Sequence, residues 1–187
     1  MKTVLLLPLF ALLTGCATLP GHVASTRSEF DGRQTLSMDR AWVYTGWKAS
    51  PFMLGVHHTS NMSSNEAVLT AYSGAGQIEG GASLGFSFSG QITNLATFDG
   101  YNDAEAGPGP YVWLSRRYTV SLDFLQRLLV ETNVTVRLQL HRNYIEGRIS
   151  SDAPTTFRPA LRKFLARLGE TNDVAVVTAP ARSPKGQ

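Results

Sequence analysis

Hydrophobic and polar residues alternate along several short stretches of the chain, which is the pattern of β-strands with one buried face. The alternation is clearest at 83–89 and 134–141, where apolar side chains occupy every second position. Other short stretches are rich in aromatic and β-branched residues, which favour strands. The predicted strands are 41–47, 52–59, 67–72, 83–89, 91–98, 111–120, 134–141 and 144–149.

Two segments instead carry apolar residues at helical spacing and predict amphipathic helices at about 121–131 and 155–168. Ser121 is a good N-cap for the first helix, and Asp123 in its first turn complements the helix dipole. Gly169 is expected to end the second helix, because glycine is common just past a helix C-terminus. The order of elements favours an α+β domain, an open antiparallel sheet of roughly 6–8 strands with both helices packed on one face.

Small and polar residues separate these elements and predict loops at 60–65, 74–81 and 99–110. The glycine-rich loop at 74–81 has predicted strands on both sides. A phosphate-binding glycine loop needs a strand before it and a helix after it. We therefore interpret 74–81 as a hairpin loop.

The first residues predict a secretory signal peptide at 1–15. Lys2 supplies the positively charged N-terminal region of such a peptide. The apolar run 4–13 that follows is shorter than the roughly 20 residues that a membrane-spanning helix needs. The run Leu13-Thr14-Gly15-Cys16 follows, and with it the N-terminus resembles those of bacterial lipoprotein precursors. The resemblance implies that Cys16 becomes the acylated first residue of the mature protein, held in a membrane by its lipid chains, palmitate among them.

The same resemblance suggests a location. Position 17 is Ala rather than the Asp that retains such proteins in the inner membrane, so we expect an outer-membrane anchor facing the periplasm. In a Gram-positive organism the anchor would lie on the outer face of the cell membrane. Behind the signal we expect an acylated Cys16 with a flexible tether (16–32), a single globular domain (33–170) and a mostly disordered tail (171–187).

Composition adds two constraints. Cys16 is the only cysteine, so the domain folds without an internal disulfide. The net charge of +3 is uneven, because residues 1–110 hold five basic and eight acidic residues, whereas 111–187 hold twelve and six. The basic half could face anionic lipid headgroups or another envelope polyanion, but a solvated surface with ordinary ion pairs is the favoured explanation. The exported location argues against nucleic acid as a partner.

Aromatic residues of the predicted strands are the first candidates for a binding surface. They are Trp42, Tyr44, Trp47 and Trp113. On an exposed sheet face such rings bind glycans or protein partners, and on a covered face they pack within the fold. The sequence leaves both alternatives open.

Histidine and carboxylate residues are the second candidates, for a metal ion. They are His57, His58, His141, Asp99, Asp103 and Glu105. Neighbouring residues on a strand point to opposite faces, so His57 and His58 cannot chelate one ion together. The acidic loop offers oxygen ligands of the kind that calcium takes, but it does not match the EF-hand pattern.

The sequence favours a non-catalytic role and no cofactor, since it lacks the glycine-flanked serine motif of α/β-hydrolases. We expect a lipoprotein whose domain binds or scaffolds another envelope protein or polymer. A lipid- or glycan-binding module and a metal-dependent envelope hydrolase remain as alternatives.

Overall fold

The described part of the chain contains ten strands and two helices. The computed structural model describes residues 20–46, 50–106, 112–149 and 152–177. The strands are β1 (Val23–Arg27), β2 (Gln34–Val43), β3 (Phe52–Thr59), β4 (Glu66–Ser73), β5 (Leu84–Phe88), β6 (Gln91–Leu95), β7 (Asp103–Ala106), β8 (Val112–Ser121), β9 (Val134–Gln139) and β10 (Tyr144–Arg148). The helices are α1 (Leu122–Val130) and α2 (Phe157–Val177). Among the described helices, none is long and apolar enough to cross a bilayer.

The described strands form two antiparallel sheets. Sheet A has the order β1-β2-β3-β4-β8-β7, and sheet B has the order β10-β9-β5-β6. The α+β class is confirmed, but the prediction of a single open sheet with both helices packed on one of its faces is wrong, because two sheets and both helices share one core. The alternation of apolar and polar residues shows which face of a strand is buried, but it does not show which other strand pairs with it. Here β5 pairs both with the adjacent β6 and with β9, which lies beyond α1 in the sequence.

The inner faces of both sheets and both helices contribute to one hydrophobic core. Two main-chain hydrogen bonds also join the sheets, from Arg148 N to Tyr44 O at 2.7 Å and from Phe98 N to Arg117 O at 3.4 Å. A buried hydroxyl pair, Ser83 Oγ and Tyr118 Oη at 2.8 Å, adds a polar link. Burial raises the pKa of Tyr118 to about 12, so this hydroxyl stays protonated at neutral pH.

Helix α1 begins where the sequence predicted. Ser121 is its N-cap, and the Ser121 hydroxyl accepts a hydrogen bond from Phe124 N at 3.1 Å. The Phe124 ring meets Phe86 and Phe88 of β5 edge-on, with centroids 5.1 and 5.7 Å away. The cap therefore also places the aromatic ring that joins α1 to sheet B.

Helix α2 packs mainly against β2 and continues past its predicted end. Its buried apolar face comprises Phe157, Ala160, Leu161, Phe164 and Leu168. The predicted end at Gly169 is wrong, because the helix runs to Val177 and Gly169 does not take a positive φ. A glycine inside a helix costs only about 1 kcal/mol relative to alanine, so it need not stop one. Of the predicted disordered tail, 171–177 is helical and 178–187 lies outside the described residues.

Two strands occupy segments for which the sequence predicted a tether and a loop. β1 lies in the predicted tether 16–32 and pairs with β2 from Val23↔Met38 to Arg27↔Gln34. β7 lies in the predicted loop 99–110 and pairs with β8. Both are edge strands whose side chains are mostly exposed, so neither shows the alternation that reveals a half-buried strand.

Candidate binding surface

The outer face of sheet A, the side turned away from the shared core, holds two of the candidate aromatic residues. Trp42 and Trp113 meet edge to face with ring centroids 5.7 Å apart. Trp113 is only 2% exposed, and a Cβ at Gly74 would lie 3.6 Å from its ring. Trp113 therefore packs within the protein instead of offering a ring to a ligand. Trp47 lies outside the described residues, as does Cys16.

Charged side chains continue this packing towards β7. The Arg40 guanidinium lies over the Tyr72 ring, 5.4 Å from its centroid, and donates to Ala106 O at 3.0 Å. Glu105, one of the candidate metal ligands, lies 3.9 Å from Arg40 Nη1. Burial, assisted by the charge of Glu105, raises the pKa of Tyr72 to about 12. This group links β2 to β7 across the sheet and leaves Glu105 paired with a cation of the protein itself.

Asp99 and Asp103 converge on an arginine. The Asp99 carboxylate accepts hydrogen bonds from the main-chain N–H of Arg117 at 2.7 Å and from Arg117 Nε at 3.2 Å. Arg117 Nη2 lies 2.9 Å from Asp99 and 3.5 Å from Asp103. The hydrogen bonds with Asp99 raise the pKa of Arg117. The acidic loop is thus neutralised by a guanidinium, and its carboxylates are not gathered around a vacant cation position.

The candidate histidines lie apart. His57 is on the outer face of sheet A and His58 on the opposite face, where His58 Nδ1 is 2.8 Å from Glu66 O. His141 follows β9, with its Nδ1 3.5 Å from Glu79 Oε2. Burial, together with the charges of Arg117 and His58, lowers the pKa of His57. Within the described ranges, no three or more His, Cys, Asp or Glu residues form a group that could hold a metal ion.

The outer face of sheet B is different, because the described elements leave it open to solvent. Gly85 and Ser87 of β5 put little side-chain bulk at its centre. The rim carries larger side chains from the neighbouring strands: Ile92, Asn94, Thr135, Arg137, Tyr144 and Glu146. Small residues between larger ones make the middle of this face concave. We call this set, from Gly85 to Glu146, the sheet B face.

Two shallow depressions occur on the sheet B face among the described residues. One of about 240 Å³ is centred on Gly85 and Ser87. The other, of about 440 Å³, extends to Tyr44 beside β10. Thr135 and Glu146 line both depressions, so the two form one continuous shallow surface.

Arg137 organises the polar side of the sheet B face. Arg137 donates to Glu146 Oε1 from both Nε and Nη2, at 3.0 and 2.7 Å, and it lies over the Tyr144 ring at 4.4 Å from the centroid. Tyr144 is 52% exposed, Tyr44 61% and Ile92 70%. Tyrosine and arginine are, with tryptophan, the residue types enriched at binding hot spots. The sheet B face therefore has both the shape and the chemistry of a contact surface.

Of these residues, only Tyr44 was among the candidates that the sequence provided. The outward positions of β9, such as Thr135 and Arg137, were visible as the polar half of the alternation. A solvent-facing row has the same appearance whether or not a partner binds it, so alternation alone could not distinguish this face. Comparison of the chain with family models, with curated proteins and with solved structures finds no match.

Proposed function

We propose that this chain is a non-catalytic lipoprotein of the cell envelope, anchored through Cys16 in the outer membrane, whose sheet B face binds another envelope protein. The observation that carries the binding role is the exposed group of Tyr144, Arg137 and Ile92 around a concave centre. The anchor rests on the resemblance of residues 1–16 to lipoprotein precursors.

The chemistry of this face favours a protein partner. Its rings and the Ile92 side chain supply apolar area, while Arg137 and Glu146 already satisfy each other and need little desolvation at the rim. The Ser87 side chain is small and leaves room for a side chain of the partner, whereas the Asn94 amide oxygen already lies over Gly85, 2.8 Å from where a Cβ would be. We therefore expect binding at this surface to depend more on complementary shape than on charge.

The size of the face predicts the strength of the complex. Four strands of about five residues, spaced about 4.8 Å apart and rising about 3.4 Å per residue, present roughly 300 Å² in projection. A stable interface buries about 800 Å² on each partner. We therefore expect a transient complex, unless the region around Tyr44 adds further contact area.

Site-specific photo-cross-linking in intact cells tests the binding role. A photo-reactive residue replaces Ile92 in one strain and Val130 in another, since both side chains are highly exposed but only Ile92 lies on the sheet B face. We expect one dominant protein adduct from position 92 that position 130 does not give. Identical adducts from both positions, or adducts of position 92 with glycan alone, would contradict a protein partner on this face.

Fractionation of a Cys16→Ser variant tests the anchor. The variant lacks the thiol that receives the lipid, so we expect it to leave the membrane fraction, while the mature wild-type protein keeps an acylated N-terminal peptide in mass spectrometry. Retention of the variant in membranes washed with high salt would show that something other than the lipid holds the protein there.

A further inference from the structure

We infer that the groove between the N-terminal segment and α2 is a membrane-contact surface that receives the phosphate headgroup of an anionic lipid. This inference rests on the proposed lipid anchor and specifies how the domain sits on the membrane. The groove measures about 570 Å³. Its walls are Pro20–Val23 on one side and Lys163, Ala166 and Arg167 on the other, with Pro154 and Thr155 between them.

The distance from the lipid to this groove is short. Cys16 precedes Pro20 by four residues, and each residue spans at most about 3.6 Å, so the chain can separate them by no more than about 14 Å. The segment that starts at Pro20 is fixed in the fold, because Gly21 N donates to Arg40 O at 3.0 Å and His22 O accepts from Asp39 N at 2.8 Å. An acylated Cys16 therefore keeps the groove close to the bilayer surface.

Two basic side chains of α2, those of Lys163 and Arg167, line the groove. Arg158 instead donates to Leu129 O at 2.6 Å, beside α1. Lys163 is exposed on the groove wall, and Arg167 donates a hydrogen bond to Val23 O, which directs its guanidinium towards the N-terminal segment. A membrane leaflet with anionic headgroups attracts lysine and arginine side chains that lie within a Debye length of its surface.

Lys163 is the exposed cation of the groove wall, whereas its neighbour Arg162 lies 3.7 Å from Asp152. Glu170 is one helical turn beyond Arg167. The remaining wall is apolar at Pro20, Val23 and Ala166, which suits the boundary between headgroups and acyl chains.

Fluorescence quenching of the lipidated protein in vesicles tests this arrangement. The Cys16 sulfur is blocked by its lipid, so an Ala166→Cys variant carries one reactive thiol for a fluorophore, and an Ile92→Cys variant on the sheet B face is the control. In vesicles of phosphatidylcholine with phosphatidylglycerol, we expect the label at 166 to be shielded from iodide and quenched by a lipid-borne quencher. The label at 92 should respond in the opposite way.

Charge reversal tests the role of the headgroup. One basic residue near an anionic surface changes partition about fivefold, so Lys163→Glu should lower the ratio of shielded to unshielded label at 166 at least about fivefold. Lys163→Arg should preserve shielding. Arg142→Glu makes the same change in charge at an exposed position after β9 and should have no effect.

Equal quenching at positions 166 and 92, or an equal effect of Arg142→Glu and Lys163→Glu, would overturn the inference. Unchanged shielding in vesicles of phosphatidylcholine alone would also overturn it. Loss of shielding on adding inorganic phosphate would overturn it too, because it would assign the groove to a soluble anion. The mass of the N-terminal peptide separates these results from failure of the anchor. If that peptide carries no lipid, the proposed anchor itself is wrong.

Discussion

The indole rings of Trp42 and Trp113 touch across sheet A although two strands lie between their own strands. β3 and β4 separate β2 from β8, a distance of about 14 Å at normal strand spacing. The two side chains meet above these strands with their ring planes at 67°. Met53 on β3 is fully buried although it does not belong to the core between the sheets. Sheet A thus has apolar packing on both faces.

This contact predicts a structural role for Trp113. Trp113→Ala should lower the free energy of unfolding by about 3–5 kcal/mol, because it empties a buried site. In a double-mutant cycle with Trp42→Ala, the coupling should be about 0.5–1.5 kcal/mol. Urea denaturation measures both values. Phe30→Ala, at a fully exposed ring, is the control and should change stability by less than about 0.5 kcal/mol. Unchanged stability of Trp113→Ala would contradict a packing role for Trp113.

The pairing of Asp99 with Arg117 predicts a second effect on stability. Asp99 is 7% exposed in its side chain, and Asp99→Ala removes the hydrogen bonds that its carboxylate accepts from Arg117 N and Nε, so it should cost about 2–3 kcal/mol. Asp103→Ala, at a more exposed carboxylate 3.5 Å from the same arginine, should cost less than about 0.5 kcal/mol. Equal losses from both variants would contradict the dominance of Asp99.

The same ion pair predicts that calcium does not stabilise the protein. Asp99 and Asp103 already bind Arg117, and Glu105 lies beside Arg40, so a divalent ion would have to displace these guanidinium groups. Melting temperatures measured with added calcium and with a chelator should agree. A melting temperature that rises with calcium concentration would restore the interpretation of this loop as a cation site.

The lowered pKa of His57 predicts a smaller free energy of unfolding at acid pH. As the pH falls, His57 of the unfolded chain is protonated near the ordinary pKa of 6.5, before His57 of the folded protein is. The stability that comes from neutral His57 is therefore complete above that pH and is lost as the pH falls below it. The slope is at most about 1.4 kcal/mol per pH unit for one proton. Urea denaturation on either side of this pH should show a smaller loss for His57→Gln than for wild type. An equal loss in His57→Gln and in the wild type would contradict this role of His57.

Gly21 predicts a steric effect where the chain enters the fold. Its φ is +76°, and a Cβ there would lie 2.8 Å from the Cβ of Ala160 on α2. Gly21→Ala should therefore cost about 2 kcal/mol or more. Gly80→Ala has no neighbour within 4 Å and should be nearly neutral. Combining Gly21→Ala with Ala160→Gly should recover part of the loss, and no recovery would contradict the contact.

Local signals in the sequence predicted the local structure well. The predicted strand 52–59 coincides with β3, and Ser121 caps α1 as expected. Both depend on neighbouring residues alone. The division into two sheets depends on which distant strands pair, such as β5 with β9, and no local pattern carries that information.

The candidate site was harder to predict for a similar reason. Successive side chains of a strand point to opposite faces, which places Trp113 on the outer face of sheet A. This alternation does not tell whether other side chains cover that face. The sheet B face became recognisable only when β5, β6, β9 and β10 were brought side by side. Arg137 and Tyr144 are on different strands, and their contact has no signature along the chain.

The ends of sheet A have a consequence for crowding. Its outer strands, β1 and β7, have five and four residues. Proteins tethered to one membrane meet their own copies often, because diffusion is confined to a plane, and long open strand edges would then recruit one another into fibrils. Over the described residues, edges this short provide few main-chain hydrogen bonds for such recruitment, so under the proposed anchor many copies would share one membrane while remaining separate molecules.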